Sequence, residues 1–252
     1  MPDRLSLASF DAVLFDIDGT LVDSLGMIVP GLGDAIERFA GVRPSDGEIQ
    51  SIVGLPMRTQ IERYLDYSPT DDQLDEMIDY TLARFEAYVD REKFFVPAIE
   101  TLRLCKRAGL GTALVTSKDA KELAGFLKRF PSADSVDVTV CASDVQHPKP
   151  APDSALLAVS RLNATRPILI GDSIYDLRCA RDAGVATVAV GYGSATSAVL
   201  LAENPDLFIE TPDHLLEWAQ TTFSKPNATQ EDSRRPFVDP QRDHSGRERA
   251  AS

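Results

Sequence analysis

Apolar and polar positions divide this chain into two kinds of segment. Val13, Leu14 and Phe15 form an unbroken apolar run within residues 12–18, and the run ends on two carboxylates, Asp16 and Asp18. A short run without polar alternation predicts a strand buried on both faces, as in a parallel sheet. The same pattern returns at residues 111–116, 136–142, 166–172, 185–190 and 206–210. Between these runs the apolar spacing is helical, at residues 98–109, 118–130, 152–162 and 173–184 and around Ser194–Ala202. Strands and helices in alternation predict a doubly wound α/β domain with a mostly parallel sheet.

The alternation is interrupted once. Between Asp23 and Lys93 the patterns are helical only. Leu74, Met77, Ile78, Leu82, Phe85, Tyr88 and Val89 share one face of a long helix, and shorter helices are expected at Asp34–Ala40 and Pro56–Leu65. The expected organisation is an α/β core of residues 1–22 and 94–223. A small α-helical cap domain, residues 23–93, is set into the first strand–helix connection, with hinges near Val22–Ser24 and Glu92–Pro97. Ligands of open α/β sheets bind beyond the carboxyl ends of the strands. An insertion at that edge covers the site as a lid. Residues 224–252 are polar, mixed in charge and poor in large apolar side chains, which predicts a disordered tail.

Composition refines this picture in three places. At 252 residues and 43% hydrophobic, the chain can fill one sizeable core and a smaller second one. A net charge of −13 and a pI near 4.7 argue against a nucleic-acid surface. An anionic ligand would then need a local positive site, such as a metal ion, a lysine or a helix N-terminus. No stretch approaches the roughly 20 apolar residues that span a bilayer. Residues 1–10 lack a secretory apolar run, so the expected location is the cytoplasm, with no membrane partner. Cys105, Cys141 and Cys179 lie far apart without CxxC spacing and are expected to be buried, inert thiols.

The candidate chemistry sits where the apolar runs end. The first run is followed by Asp16, Asp18 and Thr20, the second by Thr116 and Ser117. The fourth is followed by Asp172, with Asp176 four residues on, and Lys149 stands just before a helix. In a parallel sheet these ends share one edge. Carboxylates gathered there repel unless a cation lies among them. Oxygen donors without His or Cys favour Mg2+. A carboxylate in such a site can attack phosphorus and form an aspartyl-phosphate. Hydroxyls and Lys149 can hold the phosphoryl oxygens.

Four segments carry a resemblance. They are Asp16-Ile-Asp-Gly-Thr-Leu-Val-Asp-Ser24, Val-Thr116-Ser-Lys, Lys149-Pro-Ala-Pro-Asp and Gly-Asp172-Ser-Ile-Tyr-Asp176. In this order they resemble the four motifs of the haloacid dehalogenase superfamily of phosphohydrolases, over roughly residues 11–220. The resemblance implies a Rossmann-like core with Asp16 as nucleophile and Asp18 as general acid and base. It implies Asp16, the backbone carbonyl of Asp18, and Asp172 as Mg2+ ligands. Thr116, the amide of Ser117, and Lys149 would clamp the phosphate, with Asp176 and Thr20 auxiliary. Ile52-Val-Gly-Leu-Pro56 and Gly191-Tyr-Gly193 are similar to the phosphoglycolate phosphatase and pyrophosphatase-like branch. That branch often has Pro-Gly where Pro97-Ala98 stands, and Asn where Ser117 stands.

The activity so implied is Mg2+-dependent hydrolysis of a small phosphorylated metabolite, phosphoglycolate-like. Pyrophosphatase or nucleotidase action on the same scaffold is the nearest alternative. A sugar phosphomutase usually shows a histidine soon after the first motif, and Leu25–Pro30 has none. A receiver-like signalling protein would lack the helical insertion, and a non-catalytic phosphate-binding protein on the same scaffold would not need both Asp16 and Asp18, which are intact. A phosphonate hydrolase would want a cap lysine for a Schiff base, and none lies between Asp23 and Glu92. Arg58 follows the Gly54-Leu55-Pro56-Met57 turn, so it is the cap residue expected to read a second anion on the substrate.

Overall fold

The structure is a computed structural model and describes residues 5–223. The tail expected at 224–252 lies outside the described residues. The chain begins with β1 (Ala12–Phe15) and β2 (Val22–Asp23), then passes into four helices: α1 (Leu25–Ala40), α2 (Asp46–Gln50), α3 (Met57–Glu62) and α4 (Asp71–Ala87). It returns through β3 (Lys93–Phe94) and α5 (Val96–Arg107) to β4 (Gly111–Val115), α6 (Ala120–Leu127) and β5 (Val138–Val140). Next come α7 (Asp153–Leu162), β6 (Pro167–Gly171), α8 (Ile174–Asp182) and β7 (Ala186–Val190). The chain then runs through α9 (Ser197–Ala202), β8 (Leu207–Ile209) and α10 (Pro212–Phe223).

Six strands make one wholly parallel sheet in the order β5-β4-β1-β6-β7-β8. β1 is central, with Ala12 level with Gly111 on one side and Pro167 on the other. Successive residues of a strand point to opposite faces. Val13, Leu114, Ile168, Ile170, Val188 and Val190 pack towards α5, α6 and α10. Leu14, Ala113, Val115 and Leu169 pack towards α7 and α8. Both faces are covered, so the unbroken apolar runs end up buried on both sides, and the sheet is doubly wound. All three cysteines are free and buried. Burial pushes Cys105 up to about 12 and Cys179 to about 11, which makes both poor nucleophiles.

The four helices between β2 and β3 have an apolar cluster of their own, built on Met27, Leu32, Ile36, Ile49, Ile61 and Met77. α1 starts at Leu25, well before the helix expected at Asp34, and runs through Pro30. Proline costs a helix one hydrogen bond and some strain. Here Met27, Ile28, Leu32, Ala35 and Ile36 all bury on one side of α1, and that apolar stripe outweighs the local penalty. α4 is capped by Thr70, whose side chain accepts from Gln73 N while Gln73 returns the bond. Tyr88 and Val89 fall beyond its last turn. β5 is shorter than the run at 136–142: the Asp137 carboxylate accepts from the Thr112 amide just before it, and Ala142–Asp144 turn into a short 3-10 helix just after it.

Candidate active site

Sheet order brings the motif-bearing ends together. The chain leaves β1, reaches β4 and β5 on one side, then crosses to β6 on the other. The crevice at such a reversal lies outside the carboxyl ends of the strands. Asp16 follows β1, Thr116 follows β4 and Asp172 follows β6. The Asp16 amide still donates to Ile170 O at 3.0 Å, so the last rung of the ladder fixes where its side chain starts.

Lys149 joins three of these ends. Its ammonium donates to Asp16 Oδ1 at 2.8 Å, to Val115 O at 2.6 Å and to Asp176 Oδ1. Asp176 sits in the first turn of α8, where its other oxygen accepts from the amide of Ser173 at 3.1 Å and from its hydroxyl at 2.5 Å. The capping box of α8 therefore aims Asp176 at Lys149. Asp172 is held by other donors: Ser194 gives Oδ2 its amide at 2.6 Å and its hydroxyl at 2.7 Å. Thr20 Oγ1 reaches Asp172 Oδ1 at 3.4 Å. Two glycines make room for this carboxylate. A Cβ on Gly19 would stand 2.1 Å from Asp172 Oδ2, and one on Gly193 2.2 Å from it. Gly19 also has φ +78°, a conformation other residues adopt at a cost.

Asp18 points elsewhere. Its carboxylate pairs with Lys118 Nζ at 2.8 Å. Lys118 is 6% exposed, and Glu122, one turn along α6, lies close to it. Thr116 Oγ1 accepts from the Lys118 amide at 3.2 Å. Ser117 Oγ donates to Gly54 O at 2.5 Å, across the gap between the sheet and the helical unit. A cavity of about 30 Å³ lies between them. Asp16, Asp18, Thr116, Ser117, Lys118 and Glu122 line it from the core. Ile28, Val53, Leu55, Met57, Gln60 and Phe85 close it from above.

Burial dominates the electrostatics. It raises Asp16 well above the usual carboxylate range; Asp176 adds to the rise and Lys149 opposes it. Burial and Asp176 push Asp172 up to about 7, against the Ser194 hydrogen bonds. Burial alone would lower both lysines. Asp16 and Asp176 hold Lys149 above the usual lysine range, while Asp18 and Glu122 do so for Lys118. Glu122 itself is pushed up to about 7 by burial, with Lys118 opposing.

The residues fit a divalent cation. Ligand oxygens of Asp16, Asp172 and Asp176 come within 4.8 Å of one another, and all three residues are buried. Among the described residues Lys149 is the ammonium bonded to this trio, and a divalent cation there would favour the ionised carboxylates that burial otherwise disfavours. Oxygen-only donors suit Mg2+. Asp16 and Asp172 of the expected set are in this trio, and Asp176 stands with them; the third expected ligand is the backbone carbonyl of Asp18, whose side chain is turned to Lys118. Arg58 departs from its expected place altogether. Its guanidinium pairs with Asp71 at 3.0 Å on the outer side of α3, 44% exposed, and does not line the cavity. Among the described residues, the helical unit lends the cavity no charged group. The second cation at the site is Lys118, from the core. Its signal in the sequence was its place two residues beyond Thr116, on the same strand end.

Comparison with known proteins agrees with this geometry. Residues 13–190 match the family described as haloacid dehalogenase-like hydrolase. A phosphoglycolate phosphatase of Salmonella typhi is 30% identical over 237 residues, which cover 83% of this chain and 92% of that protein. Pyrophosphatase PpaX of Bacillus velezensis is 29% identical over 209 residues, covering 81% of this chain and 94% of its own length. In fold, the crystal structure of a hydrolase from Pseudomonas syringae superposes with a TM-score of 0.72 at 23% identity, over 82% of this chain and 96% of that one. The chain therefore belongs to the haloacid dehalogenase-like hydrolases, among which it is a phosphatase.

Proposed function

We propose that this phosphatase is Mg2+-dependent and hydrolyses a small phosphomonoester that carries a second anion, phosphoglycolate being the model, through an intermediate on Asp16. The observation that carries the reading is the division of labour between two aspartates two residues apart. Asp16 faces the cavity with one oxygen tied to Lys149, which leaves the other oxygen for attack. Asp18 faces the same cavity from beside Lys118.

In the proposed sequence, Asp16 Oδ2 forms a bond to phosphorus while the ester P–O bond breaks. Asp18 gives its proton to the departing oxygen. It then takes a proton from water as that water attacks phosphorus and frees phosphate from Asp16. Lys149 and the groups at Thr116 and Ser117 hold the phosphoryl oxygens. Bound Mg2+, held by Asp16 and Asp172 with Asp176 within reach, would supply positive charge to those oxygens.

The cavity of about 30 Å³ has room for a few waters and no more. Substrate therefore enters when the helical unit swings off the core. Lys118, in place of any cap cation, would meet the second anion, which fits a carboxylate and also a second phosphate. Pyrophosphate is thus the second reading, favoured by the same lysine. A small phosphorylated metabolite in the cytoplasm is the partner this reading implies. Among the described residues no helix is long and apolar enough to cross a membrane.

The test joins a substrate comparison with trapping. Phosphate release is measured on phosphoglycolate, pyrophosphate, a nucleoside monophosphate and a sugar phosphate. Turnover is then quenched with borohydride, which reduces an aspartyl-phosphate to homoserine. Homoserine at position 16, absent without substrate, is the expected result. Undiminished turnover by Asp16→Asn would refute the mechanism.

A further inference from the structure

Ser194 touches both halves of the molecule. Its amide and hydroxyl both donate to Asp172 Oδ2, and its carbonyl accepts from Gln50 Nε2 at 2.9 Å. Gln50 is the last residue of α2, in the helical unit, 144 positions away in the chain. Two donors from one residue on a single oxygen fix the plane of the carboxylate. The other oxygen, Oδ1, meets only the long 3.4 Å contact from Thr20. It is therefore the oxygen left free for a cation. The absence of a side chain at Gly193 lets the loop approach Asp172 this closely.

The surroundings of the Gln50 bond matter as much as the bond. A cleft of about 340 Å³ runs beside it, lined by Gly47, Gln50, Ser51, Tyr175, Thr196 and Val199 among others. Side chains do not fill the seam between α2 and the Tyr192–Thr196 loop. A second polar contact across it, Tyr175 OH to Ser51 O, is long at 3.5 Å. Across this seam α2 meets the loop chiefly through Gln50, while the Ser117–Gly54 hydrogen bond and the Lys121–Asp79 pair hold the helical unit to the core elsewhere, so the Gln50 bond reports the seating of α2 itself.

We propose that Ser194 is a positioning residue which, through Gln50, ties the seating of the helical unit to the geometry of Asp172. With α2 docked, Ser194 is held from its carbonyl side and orients Asp172. With α2 lifted, Ser194 is freer and Asp172 is less well placed. The cation-binding part of this inference rests on Asp172 being a Mg2+ ligand. The coupling between Gln50 and Ser194 does not.

The experiment keeps the two apart. Native-state amide exchange at Ser194 is followed by NMR in the metal-free parent and in Gln50→Leu, which keeps bulk and removes the donor. Mg2+ binding is followed by calorimetry in both proteins and in Ser194→Ala and Ser194→Thr. Loss of one hydrogen bond should speed Ser194 exchange about fivefold, with Val188 and Ala189 unchanged, and raise the Mg2+ dissociation constant by a similar factor. Ser194→Ala should weaken Mg2+ likewise, and Ser194→Thr, which keeps a hydroxyl, should restore it. Unchanged Ser194 exchange in Gln50→Leu overturns the coupling whatever the metal does. A parent that binds no Mg2+ overturns the cation reading and leaves the exchange comparison to decide the coupling.

Discussion

Lys149 Nζ lies 2.8 Å from Asp16 Oδ1, and its other contacts are Val115 O and Asp176, so a single buried cation ties together β1, β4 and α8. Lys149→Met removes that cation and leaves two buried carboxylates facing each other. Breaking a buried pair costs about 3–5 kcal/mol. Asp16 can shed part of the burden by taking a proton, so the expected loss without Mg2+ is at the lower end, about 3 kcal/mol. Urea denaturation in chelator measures it, and an unchanged midpoint would remove Lys149 from any role in holding the edge together.

Lys118 separates substrates by their second charge. A charge-assisted hydrogen bond to a buried group is worth about 1.5–3 kcal/mol, or roughly 10- to 100-fold. Lys118→Met should lower kcat/KM for phosphoglycolate by about that factor relative to an aryl phosphate, which offers no second anion. Parallel losses on both substrates would assign Lys118 to Asp18 alone.

Metal removal has two readouts. Chelator should abolish turnover, and Mg2+ at a hundred times its dissociation constant should add about 2.7 kcal/mol to the stability of the apoprotein. Ca2+, with its looser and higher coordination, should inhibit. Full turnover in excess chelator would contradict the whole reading of the carboxylate trio.

Glu122 predicts a pH dependence of stability. Its carboxyl is pushed up to about 7 by burial, from an ordinary 4.5. Between those values the folded chain holds a proton that the unfolded chain has lost. The corresponding stability is complete below about pH 4.5 and disappears as pH rises through about 7. Glu122→Gln should therefore flatten the decline in this window, read as denaturation midpoints in chelator. A decline as steep as the parent's would show that Glu122 does not cause it.

Arg58 should be silent. An exposed ion pair such as Arg58–Asp71 contributes about 0–1 kcal/mol. Arg58→Ala should leave KM for phosphoglycolate within twofold and shift the melting temperature by a degree or two at most, about the effect of a few tenths of a kcal/mol. A large rise in KM would mean that α3 turns inward when substrate binds.

The strands and their charged ends were legible because an apolar run buried on both faces leaves no ambiguity of period. Asp16, Thr116 and Asp172 each directly follow such a run. Side-chain direction was not legible. Asp18 and Asp176 are equally acidic in the sequence. Which of them stands beside Asp16 depends on Lys118 and on the Ser173 cap, 100 and three residues away respectively. Arg58 follows a turn that promised an inward course, but the carboxylate that draws it outward comes from α4, 13 residues on. α1 was under-read because Pro30 is a local signal and the stripe that overrides it is a tertiary one. β2 and β3, at two residues each, are too short to leave any period.

That two-residue ladder has a wider consequence. Val22 lies opposite Phe94 and Asp23 opposite Lys93, so the chain leaves for the helices and comes back at neighbouring points. Paired strands stand about 4.8 Å apart. The joint itself therefore constrains only where the inserted segment begins and ends, while contacts such as Gln50 to Ser194 and Ser117 to Gly54 set how it sits on the core. Helices of another length or surface could be grafted at the same joint while Asp16 and its neighbours stayed in register. A segment spliced at this joint can thus change in length without moving Asp16, provided it still offers a donor to the Ser194 carbonyl.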